Sequence, residues 1–538
     1  MTTTHATAPG TGLAPVVVGT GPVSFADVVS VARGGAGVRL APEAVAALEA
    51  ARAVVDALAQ APTPAYGIST GFGALATRHI PAELRAQLQR SLVRSHAAGS
   101  GPEVEREVVR GLMLLRLSTL ATGHTGVRPA TAQLLADLLT HGITPVVHEY
   151  GSLGCSGDLA PLSHVALALI GEGTVHRADG TLTDAATALA ECGLAPVELG
   201  PKEGLALING TDGMTGMLVL ALHDLDNLLR VADVAAAMSV EGQLATDRVF
   251  AEDLQALRPH PGQAASAANL RRLLADSGVV ASHRGPDCNR VQDAYSLRCS
   301  PQVHGAVRDT RDHAALVAGR ELASAIDNPV VVFDRPAGVS GESGGGAPGR
   351  VESNGNFHGA PVGYVLDFLA IAVADLASIS ERRTDRFLDR ARSHGLPPFL
   401  AGDPGVDSGH MIAQYTSAGI VSELKRLATP ASVDSIPSSA MQEDHVSMGW
   451  AAARKLRRSV DGLSRVLAIE VLTAARALDL RAPLAPSPAT AAVLALLRQS
   501  VPGPGPDRYL APEIESAVQL VQTGALLSAV QEVIGELA

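Results

Sequence analysis

Three adjacent residues, Cys155, Ser156 and Gly157, offer chemistry that no single side chain of this sequence can provide. They stand in Gly151-Ser-Leu-Gly-Cys-Ser-Gly-Asp-Leu-Ala-Pro-Leu-Ser-His164, where three glycines among seven residues precede a helix start. Glycine permits sharp turns and close backbone approach. A loop that presses the Gly157 amide nitrogen against the Cys155 carbonyl carbon sets up a ring closure. Loss of one water gives a five-membered imidazolone; loss of the Ser156 hydroxyl as a second water leaves an exocyclic methylidene. That carbon is an electrophile that ordinary side chains do not supply. Ser is needed for the elimination and Gly for access, whereas the first residue lends its carbonyl and can vary. A bare Cys-Ser-Gly triplet also reads as a tight loop before a helix, so the wider sequence has to decide.

The whole segment resembles the signature of the histidine and aromatic amino acid ammonia-lyases, whose cofactor is methylidene-imidazolone (MIO). The family usually has Ala where this sequence has Cys155. Further stretches resemble the family in the expected order, from about Tyr66 to beyond Trp450. They are Tyr66-Gly-Ile-Ser-Thr-Gly-Phe-Gly73, Leu205-Ala-Leu-Ile-Asn-Gly-Thr211, Gln292-Asp-Ala-Tyr-Ser-Leu-Arg298, Asn356-Phe-His-Gly359 and Gln442-Glu-Asp-His-Val-Ser-Met448. The resemblance implies an MIO group formed from Cys155, Ser156 and Gly157. His124, His148, His164, His304 and His410 form no metal-binding spacing on one helix face, so no metal is expected. The resemblance implies Tyr66 as the base for the substrate's β-proton, a poor acid that needs one. Asn209 and Tyr295 are implied to orient the cofactor and the departing amine, with Gln292 in support. Arg298 is implied to bind the substrate carboxylate, which a guanidinium can grip through two parallel hydrogen bonds. Phe357 is implied to line the pocket near the cofactor.

Two positions bear on the substrate. In Leu92-Val-Arg-Ser-His-Ala-Ala-Gly-Ser-Gly101, His96 stands where the family faces the substrate side chain, and the stretch resembles the histidine-cleaving form. Glu423, in Ser422-Glu-Leu-Lys425, resembles a glutamate of that form which binds an imidazole N–H or helps move the proton; Leu424 departs from the usual Asn. A buried, unpaired carboxylate against a phenyl ring would be costly, so this pair favours a polar ring. The expectation is an L-histidine ammonia-lyase that yields trans-urocanate in histidine degradation. The rivals are a tyrosine or phenylalanine ammonia-lyase or aminomutase with the same cofactor, and a helical binding protein on the same scaffold with no cofactor formed. The acid pair Glu443-Asp444 is expected to be structural, because neighbours on a helix do not share a face.

The elements that must position these residues are mostly helical. Hydrophobic residues make up 46% of the 538 residues but aromatics only 3%, so Ala, Leu and Val must do the packing. Helical periodicity runs through 42–60, 81–97, 102–121, 129–140, 212–244, 294–326, 359–393, 410–428, 446–480 and 509–537. Several of these exceed ~25 residues, which suggests a long bundle. Strands are expected at 16–18 and in a hairpin around Asp179-Gly180, and a surface loop over 336–349. The expected fold is mainly α: a long central helical bundle with an N-terminal mixed region that carries the cofactor loop, of the fumarase/aspartase-like ammonia-lyase architecture. The regions expected are 1–211 with the tyrosine loop and the MIO segment, 212–480 as the long-helix bundle, and 481–538 as a C-terminal helical region.

A formal net charge of -12 argues against nucleic acid or an anionic membrane as partner. The four cysteines have neither redox nor zinc spacing, and the apolar stretch 364–379 carries Asp367 and Asp375, which suits a buried core helix better than a membrane span. Residues 1–12 lack a signal-peptide pattern. These features point to a cytoplasmic protein, and the resemblance implies a small-molecule partner, L-histidine. The resemblance adds a homotetramer with active sites shared between subunits.

Overall fold

The computed structural model describes residues 12–71, 73, 77–285, 288, 291–333 and 349–538. Most of the expected loop 336–349 lies outside them. The chain divides into two compact, interleaved units. The first comprises residues 1–220, 316–366 and 431–454, and the second 221–315, 367–430 and 455–538. The sequence-based divisions at 211/212 and 480/481 fall at ends of long helices, whereas the passages between units at 220/221, 315/316, 366/367 and 454/455 fall inside helices.

In the first unit, the helix Pro42–Gln60 begins with Pro in its first turn, where a missing N–H costs nothing. Its apolar stripe Ala44, Leu48, Ala51 and Val55 is fully buried. Val54 and Val55 pack on Ile68 and Val331, which fixes the backbone two residues past Tyr66. Val331 belongs to the strand Val330–Phe333, paired antiparallel with Gly349–Glu352. The expected strand Val16–Val18 pairs parallel with Val38–Leu40. The hairpin is present as Thr174–His176 against Leu182–Asp184, with Asp179 accepting from the Thr181 amide in its turn.

Long helices dominate: Asp212–Gly242, Ser300–Leu322, Ala360–Leu388 and Gly449–Leu480. The last has 32 residues, or roughly 48 Å at 1.5 Å per residue. The expected 294–326 helix is two, Tyr295–Arg298 and Ser300–Leu322. The 509–537 stretch breaks at Gly524, whose φ of 78° ends one helix and starts the next.

Within the second unit, polar networks are sealed among these helices. Arg383 and Glu470 are both fully buried and 2.5 Å apart, and Glu470 also accepts from Ser239 at 2.7 Å and Ser380 at 2.6 Å. Asp233 accepts from Ser266, Asn269, His304 and Arg308. Satisfied in this way, buried charge is tolerated and the helices have one register in which it stays satisfied.

Among the described residues, two helices are long and apolar enough to cross a membrane by length and composition. The apolar window of residues 203–242 is wholly buried, so its surface is spent on core. The 364–379 stretch departs from the expected core helix. Leu366, Leu369, Ala370 and Val373 are buried, but Tyr364, Phe368 and Ile371 lie on an exposed stripe at spacings of four and three.

Candidate active site

The Cys-Ser-Gly loop lies in the first unit and is clamped from both sides. The Leu153 carbonyl accepts from the Met448 amide at 2.8 Å. The Gly154 carbonyl accepts from Ser447 Oγ at 2.6 Å and from the Gly359 amide at 3.0 Å. On the far side, the Asp158 amide donates to the Gly210 carbonyl at 2.7 Å. Asp158 Oδ2 accepts from the amides of Gly213 and Met214, each at 2.9 Å, and Oδ1 from Ser152 Oγ at 2.8 Å. Burial pushes the Asp158 carboxyl up to about 7 against the pull of these donors.

Gly157 has φ +76°, and a Cβ there would collide with the Gly210 backbone. Only glycine fits, and its amide is unhindered by a side chain. The residues therefore fit the ring closure that the triplet suggests: pinned flanks, a bare nitrogen at 157 and a hydroxyl at 156 that is held by a carboxylate.

That carboxylate is Glu443. Ser156 Oγ donates to its Oε1 at 2.7 Å; Cys155 Sγ at 3.1 Å and Ser438 Oγ at 2.8 Å donate to its Oε2. Burial pushes the Glu443 carboxyl up, but these three donors and the neighbouring His96 outweigh it and hold it below its ordinary value. The premise of the expected structural role, that Glu443 and Asp444 are neighbours on a helix, is corrected here. Residues 442–448 are not helical; they follow a short turn at Ser439–Met441, and the main chain pairs Ser438 with Glu443. The helix argument about adjacent side chains does not apply to such a turn. The signal that could have found Glu443 is its place in the Gln442-Glu-Asp-His anchor.

Glu423, by contrast, sits on the helix Met411–Leu427 in the second unit, 47% exposed and ion-paired with Arg426 one turn on. Within one chain, the carboxylate that accepts from Ser156 is that of Glu443.

His96 closes the helix Arg85–His96. Its Nδ1 lies 2.9 Å from the Leu92 carbonyl, and a carbonyl only accepts, so Nδ1 carries the proton and Nε2 is left as an acceptor. Burial lowers the His96 pKa below its ordinary value, against the opposing effects of the Leu92 carbonyl and Glu443. The ring is neutral at pH 7.

Asn209 follows the short helix Glu203–Ile208 and is buried. Its Nδ2 donates to the Asn328 main-chain carbonyl at 3.1 Å, and its main-chain carbonyl accepts from Arg116 at 2.6 Å. Asp327, next to Asn328, is locked by a fully buried ion pair with Lys202 at 2.5 Å. Half-buried Tyr66 accepts at its hydroxyl from the Gly73 amide at 3.2 Å.

Tyr66, His96, Cys155, Ser156, Asn209, Phe357 and Glu443 all border one cavity of about 1230 Å³ in the first unit, together with His358 and His445, whose rings stack 5.7 Å apart. Gln292, Tyr295 and Arg298 belong to the second unit. Gln292 is exposed, Tyr295 is 72% exposed, and the Arg298 guanidinium lies 4.7 Å above the Tyr295 ring. Among the described residues, no group of three His, Cys, Asp or Glu side chains is placed to hold a metal ion.

The aromatic amino acid lyase family matches residues 23–499, and the chain belongs to that family. It is a carbon–nitrogen lyase. Among its relatives, the histidine ammonia-lyase of Streptomyces avermitilis is 65% identical over 524 residues, covering 97% of this chain and 99% of that one. Among solved structures, a tyrosine aminomutase from Streptomyces globisporus has a TM-score of 0.90 at 39% identity, covering 97% of this chain and 100% of that one. A histidine ammonia-lyase from Trypanosoma cruzi has a TM-score of 0.87 at 38% identity, covering 97% and 96%.

Proposed function

We propose that the protein eliminates ammonia from L-histidine to give trans-urocanate, using an MIO group formed from Cys155, Ser156 and Gly157. The observation that carries this reading is the pairing of two acceptors, His96 Nε2 and the Glu443 carboxylate, beside the Ser156 loop. An imidazole ring offers N–H to such acceptors, whereas a phenyl ring would leave them unpaired at a cost. The full-length similarity to histidine ammonia-lyases supports the same substrate.

When formed, the group supplies an electrophilic carbon that makes the α-amine a better leaving group. Everything else falls to side chains. Tyr66 takes the β-proton. His96 and Glu443 hold the imidazole, and Glu443 takes over the role expected of Glu423. Asn209, fixed through Asn328 and Arg116, orients the amine. Phe357 forms apolar wall.

The remaining groups reach the substrate from neighbouring copies in a homotetramer. Arg298 binds the carboxylate, while Tyr295 and Gln292 support the amine. Three features support sharing: the exposure of Tyr295 and Gln292, a cavity far larger than one amino acid needs, and the apolar stripe Tyr364, Phe368 and Ile371. The homotetramer works in the cytoplasm on a small molecule.

Purified protein is to be given L-histidine, L-tyrosine and L-phenylalanine separately, and ammonia and the conjugated acid followed by absorbance. Urocanate from histidine alone is expected. An arylacrylate or a β-amino acid from tyrosine or phenylalanine alone would overturn the substrate assignment and leave the cofactor standing.

A further inference from the structure

Cys155 brings more to the site than the carbonyl used in ring closure. Its side chain remains outside the ring and is buried, with Sγ 3.1 Å from Glu443 Oε2. Ser438 Oγ donates to the same oxygen at 2.8 Å, whereas among the described residues Ser156 Oγ alone donates a side-chain hydrogen bond to Oε1, at 2.7 Å. Ring formation removes the Ser156 hydroxyl as water. Oε1 then loses its donor and Oε2 keeps both of its own. Burial pushes the Cys155 thiol up to about 12, so it stays S–H at neutral pH and adds no second negative charge beside the carboxylate. An alanine, usual in the family at this point, offers no donor.

We propose that the Cys155 thiol is a positioning residue: together with Ser438 it pins Glu443 Oε2, so that Oε1, freed of the Ser156 hydroxyl, is presented to the substrate's imidazole N–H beside His96 Nε2. This rests on the reading of the site as a histidine-cleaving centre. Two donors on one oxygen fix the torsion of the carboxylate and stabilise its anion. Removing one lets the group turn and favours its protonated form. The titratable groups facing Glu443 are Cys155 and His96; Tyr66, Arg78, His358, Asp444 and His445 line the rest of the cavity.

The test uses full-length Cys155→Ala, Cys155→Ser and Glu443→Gln. Intact mass reads whether each has lost two waters. Calorimetry reads the Kd of imidazole-4-propionate, an unreactive ring probe, from pH 4 to 8 (about the range in which carboxylates and imidazoles titrate). Cys155→Ala is expected to lose two waters, as the parent does, and to bind the probe about three- to tenfold more weakly. Its acidic binding limb should move to higher pH, because a donor to the anion is gone. Cys155→Ser, whose hydroxyl donates, should restore both. Parent-like affinity and an unmoved limb in Cys155→Ala would overturn the proposal. So would a Cys155→Ala chain that does not lose two waters, which would place the thiol's role in ring closure, or a Cys155→Ser variant that behaves like Cys155→Ala. If Glu443→Gln binds the probe and turns over histidine like the parent, the reading of the site itself fails, whatever the Cys155 variants do.

Discussion

At the scale of residues, the site depends on which atoms still have something to give. His96 spends Nδ1–H on Leu92 and keeps an acceptor. Glu443 holds three donors, one of which would depart as water on the proposed ring formation. Ser156→Ala removes the hydroxyl that must leave. That variant should retain the mass of the uncyclised chain and lose nearly all lyase activity, as intact mass and urocanate formation will read. A fully active Ser156→Ala would sink the mechanism. Glu443→Gln keeps the shape and loses the charge, so kcat/KM for histidine should drop by ~10² or more, the usual scale of a lost acid–base group. Thermal stability should change far less, since Gln can still accept from Ser438 and Cys155. A comparable substitution, Glu423→Gln, touches only a half-exposed ion pair and should alter rate and stability little. Equal rate losses in the two variants would return the role to Glu423.

At the scale of elements, the loop 151–158 is held by what it joins. Asp158 binds two amides at the start of the helix Asp212–Gly242 and simultaneously leads into the helix Leu159–Leu169. An acid at a helix N-terminus satisfies orphan N–H groups. Asp158→Ala would leave two buried amides without an acceptor, at a cost of about 3 kcal/mol. Denaturant unfolding should show that loss. Mass spectrometry should show a growing share of chains that have not lost two waters, because the clamp on the 157–158 side is slackened. Unchanged stability with complete water loss would mean that other contacts hold the loop. The sequence announced this element well: three glycines, a serine, and an aspartate ahead of a helix. It hid Glu443, because a run of neighbouring acids looks helical until the turn at Ser439–Met441 is seen.

At the scale of the whole molecule, long helices bury titratable groups that an unfolded chain would expose. His410 is 2% exposed, with Nδ1 on Thr473 Oγ1 at 3.2 Å. Burial, then the nearby Arg476, pushes it down to about 3. An unfolded histidine titrates near ~6.5, so below that pH the unfolded chain binds a proton that the folded chain refuses. The stability is therefore complete above pH ~6.5 and falls as the pH drops toward 3, by about 1.4 kcal/mol per pH unit. Unfolding at pH 7.5 and 5.5 should show the loss, and His410→Gln should remove about 1.4 kcal/mol of that pH dependence. An unaltered pH dependence would count against His410 as its source. The shared-site proposal makes a separate prediction. Tyr66→Phe and Arg298→Lys should each be nearly inactive alone, and subunits of the two mixed through unfolding and refolding should regain activity. No recovery would mean that both residues serve the same site from one chain.

The sequence by itself singled out the candidate triplet and determined the helical class and most helix positions, because these are written in short spacings: glycine and serine at fixed neighbours, apolar residues at three and four. The strand pair at 16–18 and the hairpin at Asp179-Gly180 were legible for the same reason. Tertiary structure alone decided which carboxylate meets Ser156. Glu443 lies 287 residues from Ser156 along the chain, and 2.7 Å from it in space. It alone showed that Phe368 and Ile371, on a helix that reads as core, face outward, and that the two units interleave. The physical reason is the same in each case. Local spacing fixes which faces a helix presents, but only the packing of distant segments fixes what each face meets.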